Sequence, residues 1–299
     1  MHGGTLGLFW RSTVKTRLRI LSAAVVLFML AAAGLCQTPM PPEKTALVLG
    51  QSIHYYEAGQ GPVVILLHGL GANAGIWAAN IAPLSAHYHV IALDQVGFGH
   101  SAKPLLDYKI ATFVDFLYGF MQSQQIEKAT LVGNSLGGWV ALDFAVQHPA
   151  MVDKLVLVDA GGLHFGSAAP TVDLNPSSVE GMKKILEYVF YDHSTISTPR
   201  AQAIYMNHLK DNDGYTIHAT IEGVFSTDQF EEPKLPSLHT PTLIVWGAND
   251  ALIPLAKGEE FHTRIAGSKL VTIEQCGHMP QLEKPEEFNR AVLEFLRQP

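Results

Sequence analysis

The 299-residue sequence predicts an α/β fold built on a mostly parallel, eight-stranded sheet flanked by helices. Short apolar runs alternate with longer stretches typical of helices, which is the pattern of successive β-α-β units. One run leads into Gly133-Asn134-Ser135-Leu136-Gly137, and a segment without helix breakers follows it. Acidic and histidine residues come directly after later runs, at the sheet edge where open α/β folds place their functional groups.

The apolar runs predict two opening antiparallel strands and six further strands. They are Ala46–Val48, Ser52–Tyr56, Val63–Leu67, His89–Leu93, Ala129–Val132, Lys154–Val158, Thr242–Trp246 and Lys269–Ile273. The last helix is predicted to begin at Pro285, because proline is favoured in a first helical turn. Glu286 and Glu287 follow it, beside the positive end of the helix dipole.

The Gly133–Gly137 pentapeptide is typical of a nucleophile elbow, the strand-to-helix turn that carries a catalytic serine. Side chains at its two glycines would collide with the neighbouring strand and helix. The serine is expected in a strained backbone conformation that exposes its hydroxyl group. The following helix directs its positive end at the place where negative charge develops. Ser135 is therefore the candidate nucleophile.

A serine hydroxyl needs a base to take its proton, and the base needs an orienting carboxylate. In this architecture the acid and then the histidine follow the serine along the chain. Asp250 comes after the run that ends at Gly247, and His278 comes after the last predicted strand. These residues predict a Ser135–His278–Asp250 triad. Asp159, at the end of another run, is the rival acid.

An oxyanion hole requires two backbone N–H groups that point at one position. One is predicted to come from Leu136, directly after the nucleophile. The other is predicted to come from Leu70, in the loop of small residues that follows Val63–Leu67. His68 is expected to be structural because His278 is the better placed base. Cys276, two residues before His278, is expected to pack near the site.

Together these motifs resemble those of the α/β-hydrolase fold superfamily, from about Lys44 to the C-terminus. The resemblance is carried by His68-Gly69, Asp94–Ser101, Gly133–Gly138, Trp246–Asp250 and Gly277-His278. Family members usually have proline where this chain has Val96, a difference in a structural loop. A serine at position 135, where dehalogenases and epoxide hydrolases of the superfamily carry aspartate, argues against both chemistries. The resemblance implies cofactor-free hydrolysis of an ester, lactone, thioester, amide or carbon–carbon bond.

The resemblance also implies a helical cap inserted after the sixth strand, over the active site. The helical stretches there are Val179–Tyr191, Pro199–Lys210 and Tyr215–Phe225. The predicted organisation is a core of residues 37–160 and 239–299 with a cap of residues 161–238. The candidates for an apolar acyl pocket are Met182, Tyr188, Phe190, Tyr191, Tyr205, Met206 and Phe225. Packing of the cap against the core is the alternative role for each of them.

The leading functional prediction is a serine hydrolase that cleaves carboxylic esters through an acyl-enzyme. The elbow also resembles that of meta-cleavage-product hydrolases, which break carbon–carbon bonds of vinylogous diketo acids and need basic residues to hold the substrate carboxylate. The candidates for that role are Lys183, Lys184, Arg200 and Lys210. An apolar pocket would favour esters or lipids, and a convergent arginine the diketo acids. A lactonase, a thioesterase and a non-catalytic protein that binds a hydrophobic ligand stay open.

The N-terminus has the pattern of a secretory signal. Four basic residues, Arg11, Lys15, Arg17 and Arg19, precede an apolar run from Ile20 to Leu35. Residues 1–36 are therefore predicted to be a signal peptide or an uncleaved signal anchor. Basic residues before the run place the enzyme on the outer side, either exported or anchored to the membrane. Cys36 is an alternative site for a lipid anchor.

Composition narrows the partners of the protein. The net charge is −7 and the basic residues are scattered, so no nucleic-acid partner is expected. The sequence has two cysteines and no Cys/His spacing typical of zinc, so no metal site is expected. A small-molecule acyl substrate is the expected ligand, and the oligomeric state is left open.

Overall fold

The structure, a computed structural model, describes residues 40–164, 172–225 and 229–298. The predicted signal segment of residues 1–36 lies outside this part of the chain. The eight strands are β1 Glu43–Val48, β2 Gln51–Ala58, β3 Val63–Leu67, β4 His89–Leu93, β5 Ala129–Asn134, β6 Val152–Val158, β7 Thr242–Gly247 and β8 Lys269–Ile273. Each corresponds to a predicted strand, so the mostly parallel, eight-stranded α/β fold is confirmed.

The strands form one sheet in the order β1-β2-β4-β3-β5-β6-β7-β8. β2 is antiparallel to both β1 and β4, and every other neighbouring pair is parallel. The C-terminal ends of the parallel strands lie side by side: Leu67 pairs with Gly133, and Asn134 pairs with Val158. The loops that follow β3, β5, β6, β7 and β8 therefore meet at one edge of the sheet.

The central strands are apolar on both faces because helices cover both sides of the sheet. On β3, Ile65 and Leu67 join one hydrophobic cluster, while Val64 and Leu66 join the other. The helices of the core are α1 Ala78–Ser85, α2 Ile110–Ser123, α3 Leu136–Gln147, α7 Leu255–Arg264, α8 Pro280–Glu283 and α9 Pro285–Leu296. Helices α2, α3 and α7 pack on the first face, and α1 and α9 on the second.

Between β6 and β7 the described residues form three further α-helices: α4 Val179–Val189, α5 Thr198–Asp211 and α6 Gly214–Phe225. They fall within the segment 161–238 predicted to be a cap, and we call them the helical insertion. Ser178 and Ser197 accept hydrogen bonds from N–H groups in the first turns of α4 and α5, which fixes where these helices begin. In the part of the chain that the structure describes, no helix combines the length and apolarity that crossing a membrane requires.

Candidate active site

Ser135 stands between β5 and α3 in a backbone conformation that few residues other than glycine adopt, with φ 57° and ψ −117°. Hydrogen bonds hold it there. Its N–H donates to Val158 O (3.0 Å), and its carbonyl accepts from Trp139 N (3.1 Å) and Gly161 N (3.0 Å). The serine is thus fixed between β6 and the first turn of α3.

The glycines around Ser135 are required by close backbone approach. A Cβ atom at Gly133 would lie 2.2 Å from Gly137 O, and one at Gly137 would lie 2.3 Å from Leu67 O. A Cβ atom at Gly69 would lie 3.1 Å from Ser135 Cβ, so the loop after β3 runs beside the serine. Small residues at these positions therefore bring the elbow and this loop together.

His278 and Asp250 form a buried pair. His278 Nδ1 lies 2.7 Å from Asp250 Oδ2, and Asp250 Oδ1 accepts from Leu252 N (2.8 Å) and Ile253 N (2.9 Å). With its proton on Nδ1, the imidazole presents a lone pair at Nε2. Nε2 is buried and has no hydrogen-bond partner among the described residues. This nitrogen is available to take a proton, and His278 lines the same cavity as Ser135.

The backbone of His278 is also fixed on both sides. Its N–H donates to Val189 O at the end of α4 (2.8 Å), and its carbonyl accepts from Asn134 Nδ2 (3.1 Å). The same amide donates to Val158 O (3.2 Å). Asn134 is thus a positioning residue beside the serine, and sequence reasoning did not assign it that role. The only feature of the sequence that could have indicated this role is the position of Asn134 directly before Ser135 in the elbow.

Glu283 on α8 holds the loop that carries His278. Its Oε1 accepts from Gly277 N (2.9 Å) and Met279 N (3.4 Å), and its Oε2 accepts from Tyr191 N (2.8 Å). Burial raises the pKa of Glu283, although these hydrogen bonds act in the opposite direction. One carboxyl group therefore links the His278 loop to the helical insertion.

Asp159, the rival acid, is fully buried and lies beside the Asp250–His278 pair, but it is Asp250 that contacts His278 Nδ1. One oxygen atom of Asp159, one of Asp250 and one ring nitrogen of His278 lie within 4.8 Å of one another. Asp159 Oδ1 accepts from Gly247 N (2.9 Å), whereas Oδ2 has no partner among the described residues. Burial raises the pKa of Asp159 well above its usual value, and the neighbouring Asp250 charge adds to this effect.

Leu70 and Leu136, the predicted oxyanion residues, both line the cavity with Ser135. Leu136 is the first residue of α3, where backbone N–H groups have no acceptor within the helix. His68 is fully buried, and both of its ring nitrogens are occupied by backbone groups. Nδ1 donates to Gly69 O (2.8 Å), and Nε2 accepts from Gln95 N (3.0 Å). Burial lowers the pKa of His68, which suits this neutral form. Cys276 packs in a hydrophobic cluster.

The cavity has a volume of about 370 Å³ and is mostly apolar. Its floor comes from the core and its roof from the helical insertion, with Ile76, Trp139, Leu186, Val189, Ile217 and Leu252 among the lining residues. Of the predicted pocket residues, Met182 and Phe190 line it. The prediction is wrong for Tyr191 and Met206, which are 44% and 45% exposed on the outer side of the insertion. Helical spacing alone did not show which face turns inward.

Two other predicted aromatic residues lie outside the cavity lining as well. Tyr205 packs within the small hydrophobic cluster of the insertion, and Tyr188 does not line the cavity. The side chain of Phe225 lies outside the described part of the chain. The pocket is therefore lined mainly by aliphatic side chains rather than by the aromatic set expected from the sequence.

None of the described residues that line the cavity is lysine or arginine. The proposal that Lys183, Lys184, Arg200 or Lys210 reaches the substrate is wrong for this arrangement. The guanidinium of Arg200 instead lies 4.7 Å above the Phe190 ring and donates to Thr195 O (3.1 Å).

The polar end of the cavity is formed by Asn73, Asn207, His208 and Asp211. His208 Nδ1 lies 2.7 Å from Asp213 Oδ1, and this contact raises the pKa of His208. Asn73 Nδ2 donates to Asp211 Oδ2 (3.4 Å). Among the described residues at this end of the lining, the His208 imidazole is the one group that can carry positive charge, and the Asp211 carboxylate lines the same end.

Residues 64–291 match the model of the alpha/beta hydrolase family, and the chain belongs to that family. It is 36% identical over 267 residues to a 2-hydroxy-6-oxo-6-phenylhexa-2,4-dienoate hydrolase of Comamonas testosteroni, covering 82% of this chain and 91% of the relative. A solved meta-cleavage product hydrolase from Pseudomonas fluorescens IP01 is 30% identical, with a TM-score of 0.76 and 85% and 97% of the two chains covered. A membrane phospholipase A is 28% identical, with a TM-score of 0.78 and 96% and 97% covered.

Proposed function

We propose that the protein is a serine-dependent hydrolase whose first candidate reaction is carbon–carbon bond cleavage of a 2-hydroxy-6-oxo-dienoate. The observation that carries the proposal is the cavity that contains both Ser135 and Nε2 of His278, a nitrogen to which none of the described residues hydrogen-bonds. The substrate class follows the names of relatives that share about a third of their residues with this chain over most of their length.

Each residue of the site takes one role in the proposed reaction. Ser135 Oγ attacks a carbonyl carbon while His278 Nε2 takes its proton, and Asp250 stabilises the imidazolium. The N–H groups of Leu70 and Leu136 stabilise the oxyanion. Collapse of the tetrahedral intermediate releases the leaving group and an acyl-serine. Water, deprotonated by His278, then releases the carboxylic acid and regenerates Ser135.

For a dienoate substrate the leaving group is a carbon atom, which needs an electron sink. Moving the proton of the 2-hydroxyl group to C5 converts the dienol into a 2-oxo form with a double bond between C3 and C4. The electrons of the broken C5–C6 bond then pass into this conjugated carbonyl, and the products are a carboxylic acid and a 2-hydroxypentadienoate. In the lining described above, His208 is the group suited to hold the substrate carboxylate, because Asp213 raises its pKa.

Carboxylic ester hydrolysis is the second candidate, and the composition of the cavity favours it. A carboxylate substrate would meet no lysine or arginine in the described lining, and the Asp211 carboxylate would repel it. An aliphatic ester or lipid acyl chain would bury its apolar surface against Leu186, Val189 and Ile217. The leaving alkoxide requires only the proton held by His278.

The test compares both substrate classes on one enzyme preparation. Purified protein is assayed with 2-hydroxy-6-oxo-6-phenylhexa-2,4-dienoate and with p-nitrophenyl esters of increasing chain length. We expect dienoate cleavage to exceed ester cleavage in kcat/KM and to fall about 10⁴-fold or more in Ser135→Ala. Ser123→Ala, at an exposed helix end, is the matched control. Ester cleavage alone, lost in Ser135→Ala, would replace the first candidate with the second. Activity that survives Ser135→Ala would overturn both.

We also propose that the enzyme is exported, on the basis of the basic and apolar pattern of residues 11–35. Fractionation of cells that express the whole chain tests this proposal. Activity outside the cytoplasmic fraction is expected, and activity confined to the cytoplasm would contradict it. Deletion of residues 1–36 should abolish the export.

A further inference from the structure

Three side chains from distant parts of the sequence meet on the surface near the start of the sheet. Glu43 begins β1, His54 lies on β2, and His100 lies in the loop after β4. One oxygen atom of Glu43 and one ring nitrogen from each histidine lie within 4.8 Å of one another. None of the three lines the catalytic cavity, so the cluster is a separate feature.

His54 is held in the manner of a metal-binding histidine. Its Nδ1 lies 2.8 Å from Asp94 Oδ2, so a neutral ring donates from Nδ1 and keeps its lone pair on Nε2. Metal-binding histidines commonly donate their second ring nitrogen to a carboxylate in this way. Asp94 is itself fixed, because it also accepts from Ala74 N (2.6 Å) and His100 N (2.8 Å).

The free nitrogen of His54 faces the cluster without a partner. The His54 side chain is 4% exposed, and its Nε2 is buried with no hydrogen-bond partner among the described residues. Glu43 Oε2, which is also an acceptor, lies 3.8 Å from this nitrogen. Two acceptors that face each other at this separation repel unless a positive species lies between them.

We propose that Glu43, His54 and His100 form a binding site for a borderline divalent cation of the Zn²⁺ type. Zinc binds imidazole nitrogen and carboxylate oxygen at about 2.0–2.2 Å, so tetrahedral ligand atoms stand about 3.4 Å apart. The two oxygen atoms of Glu43 each face one histidine at a separation close to this value: Oε2 lies 3.8 Å from His54 Nε2, and Oε1 lies 3.9 Å from His100 Nδ1. Glu43 and His100 are 59% and 58% exposed, which leaves them free to close the remaining gap.

The donor set selects the class of ion. Two imidazole nitrogens and one carboxylate suit Zn²⁺, Ni²⁺ or Cu²⁺, whereas Ca²⁺ and Mg²⁺ prefer a shell of oxygen atoms. Water would complete the coordination. The neighbouring lysines do not neutralise the cluster: Lys44 pairs with Glu57, and Lys103 Nζ donates to the carbonyls of Gly99 and Ser101.

Binding at this site would connect three segments of the fold. The ion would join β1 and β2 to the loop after β4, and Asp94 connects that loop to Ala74. A ligand that binds only the folded state raises its stability by mass action. Zinc is therefore expected to raise the melting temperature of the wild-type protein.

The test titrates tag-free protein with ZnCl₂ in competition with a chromophoric chelator. We expect one equivalent to bind, with affinity at least tenfold weaker in both Glu43→Gln and His100→Ala. His239→Ala, which removes an exposed histidine elsewhere, should bind zinc as the wild type does. Glu43 and His100 are both exposed, so we expect both variants to fold. Neither variant should show the zinc-dependent rise in melting temperature. Absence of binding, or unchanged affinity in the two variants, would overturn the proposal.

Discussion

Replacing Asp159 with asparagine tests how the candidate site divides its two buried aspartates. Asp159 and Asp250 lie together, and two carboxylates so close in a buried site do not both ionise readily. Because Asp250 contacts His278, we expect Asp250 to carry the charge and Asp159 to stay protonated. Asparagine keeps the shape and neutrality of a protonated aspartate, and its amide oxygen can accept from Gly247 N. Asp159→Asn should therefore keep activity within a few-fold of wild type.

The same substitution should stabilise the protein in a pH-dependent way. Below the unfolded pKa of aspartate, about 4, residue 159 is neutral in both states and the variant has no electrostatic advantage. Above it, the unfolded wild type releases the proton while the folded protein retains it. The wild type then loses about 1.4 kcal/mol of unfolding free energy per pH unit, up to the raised folded pKa. Between pH 5 and pH 7 this amounts to at most about 3 kcal/mol relative to Asp159→Asn.

Urea unfolding of both proteins at pH 5 and pH 7, with kcat/KM measured alongside, checks this reasoning. Asp250→Asn is the comparison variant for activity, because loss of the orienting acid lowers kcat about 10⁴-fold. A stability difference that does not change with pH would refute the protonated state of Asp159. A loss of activity in Asp159→Asn as large as that in Asp250→Asn would make Asp159 the orienting acid.

Three further predictions concern the surroundings of the site. Asn134→Ala removes the amide that holds the His278 backbone, so kcat should fall about tenfold to a hundredfold with the circular dichroism spectrum unchanged, whereas full activity would contradict its positioning role. Gly137→Ala places a Cβ atom 2.3 Å from the backbone oxygen of Leu67 and should abolish soluble expression. Gly50→Ala, at φ +79° with open space around it, should lower the free energy of unfolding by only about 1–2 kcal/mol in a thermal melt. Equal effects of the two substitutions would show that close backbone approach is not what requires glycine at position 137. Burial raises the pKa of the Cys276 thiol, so peptide mapping after iodoacetamide treatment should find it modified only in unfolded protein.

The sheet could be predicted from the sequence because its signals are local. Short runs of mostly apolar residues correspond to strands buried on both faces, and the glycines at 133 and 137 mark a turn that only a tight elbow requires. Ser135, Asp250 and His278 could be selected as site residues because each follows the end of a predicted strand. Their meeting at one edge is a consequence of parallel topology.

The supporting contacts could not be predicted because they join residues far apart in sequence. Nothing around Glu283 indicates that its carboxyl group accepts from Tyr191 of the helical insertion, 92 positions away. Likewise, His54 and Asp94 carry no recognisable spacing, and only the pairing of β2 with β4 brings them together. The residues of the insertion that face the cavity were predicted poorly for a related reason. Aromatic residues such as Tyr191 were expected to line the pocket, whereas aliphatic residues such as Leu186 and Val189 line it instead.

Active-site labelling reports whether Ser135 is an activated nucleophile. Purified protein is treated with a fluorophosphonate, and the modified peptide is identified by mass spectrometry. We expect one equivalent of label on Ser135, none in Ser135→Ala, and much slower labelling in His278→Ala, because Nε2 of His278 takes the serine proton. Labelling at another residue, or folded wild-type protein that takes up no label, would contradict this expectation.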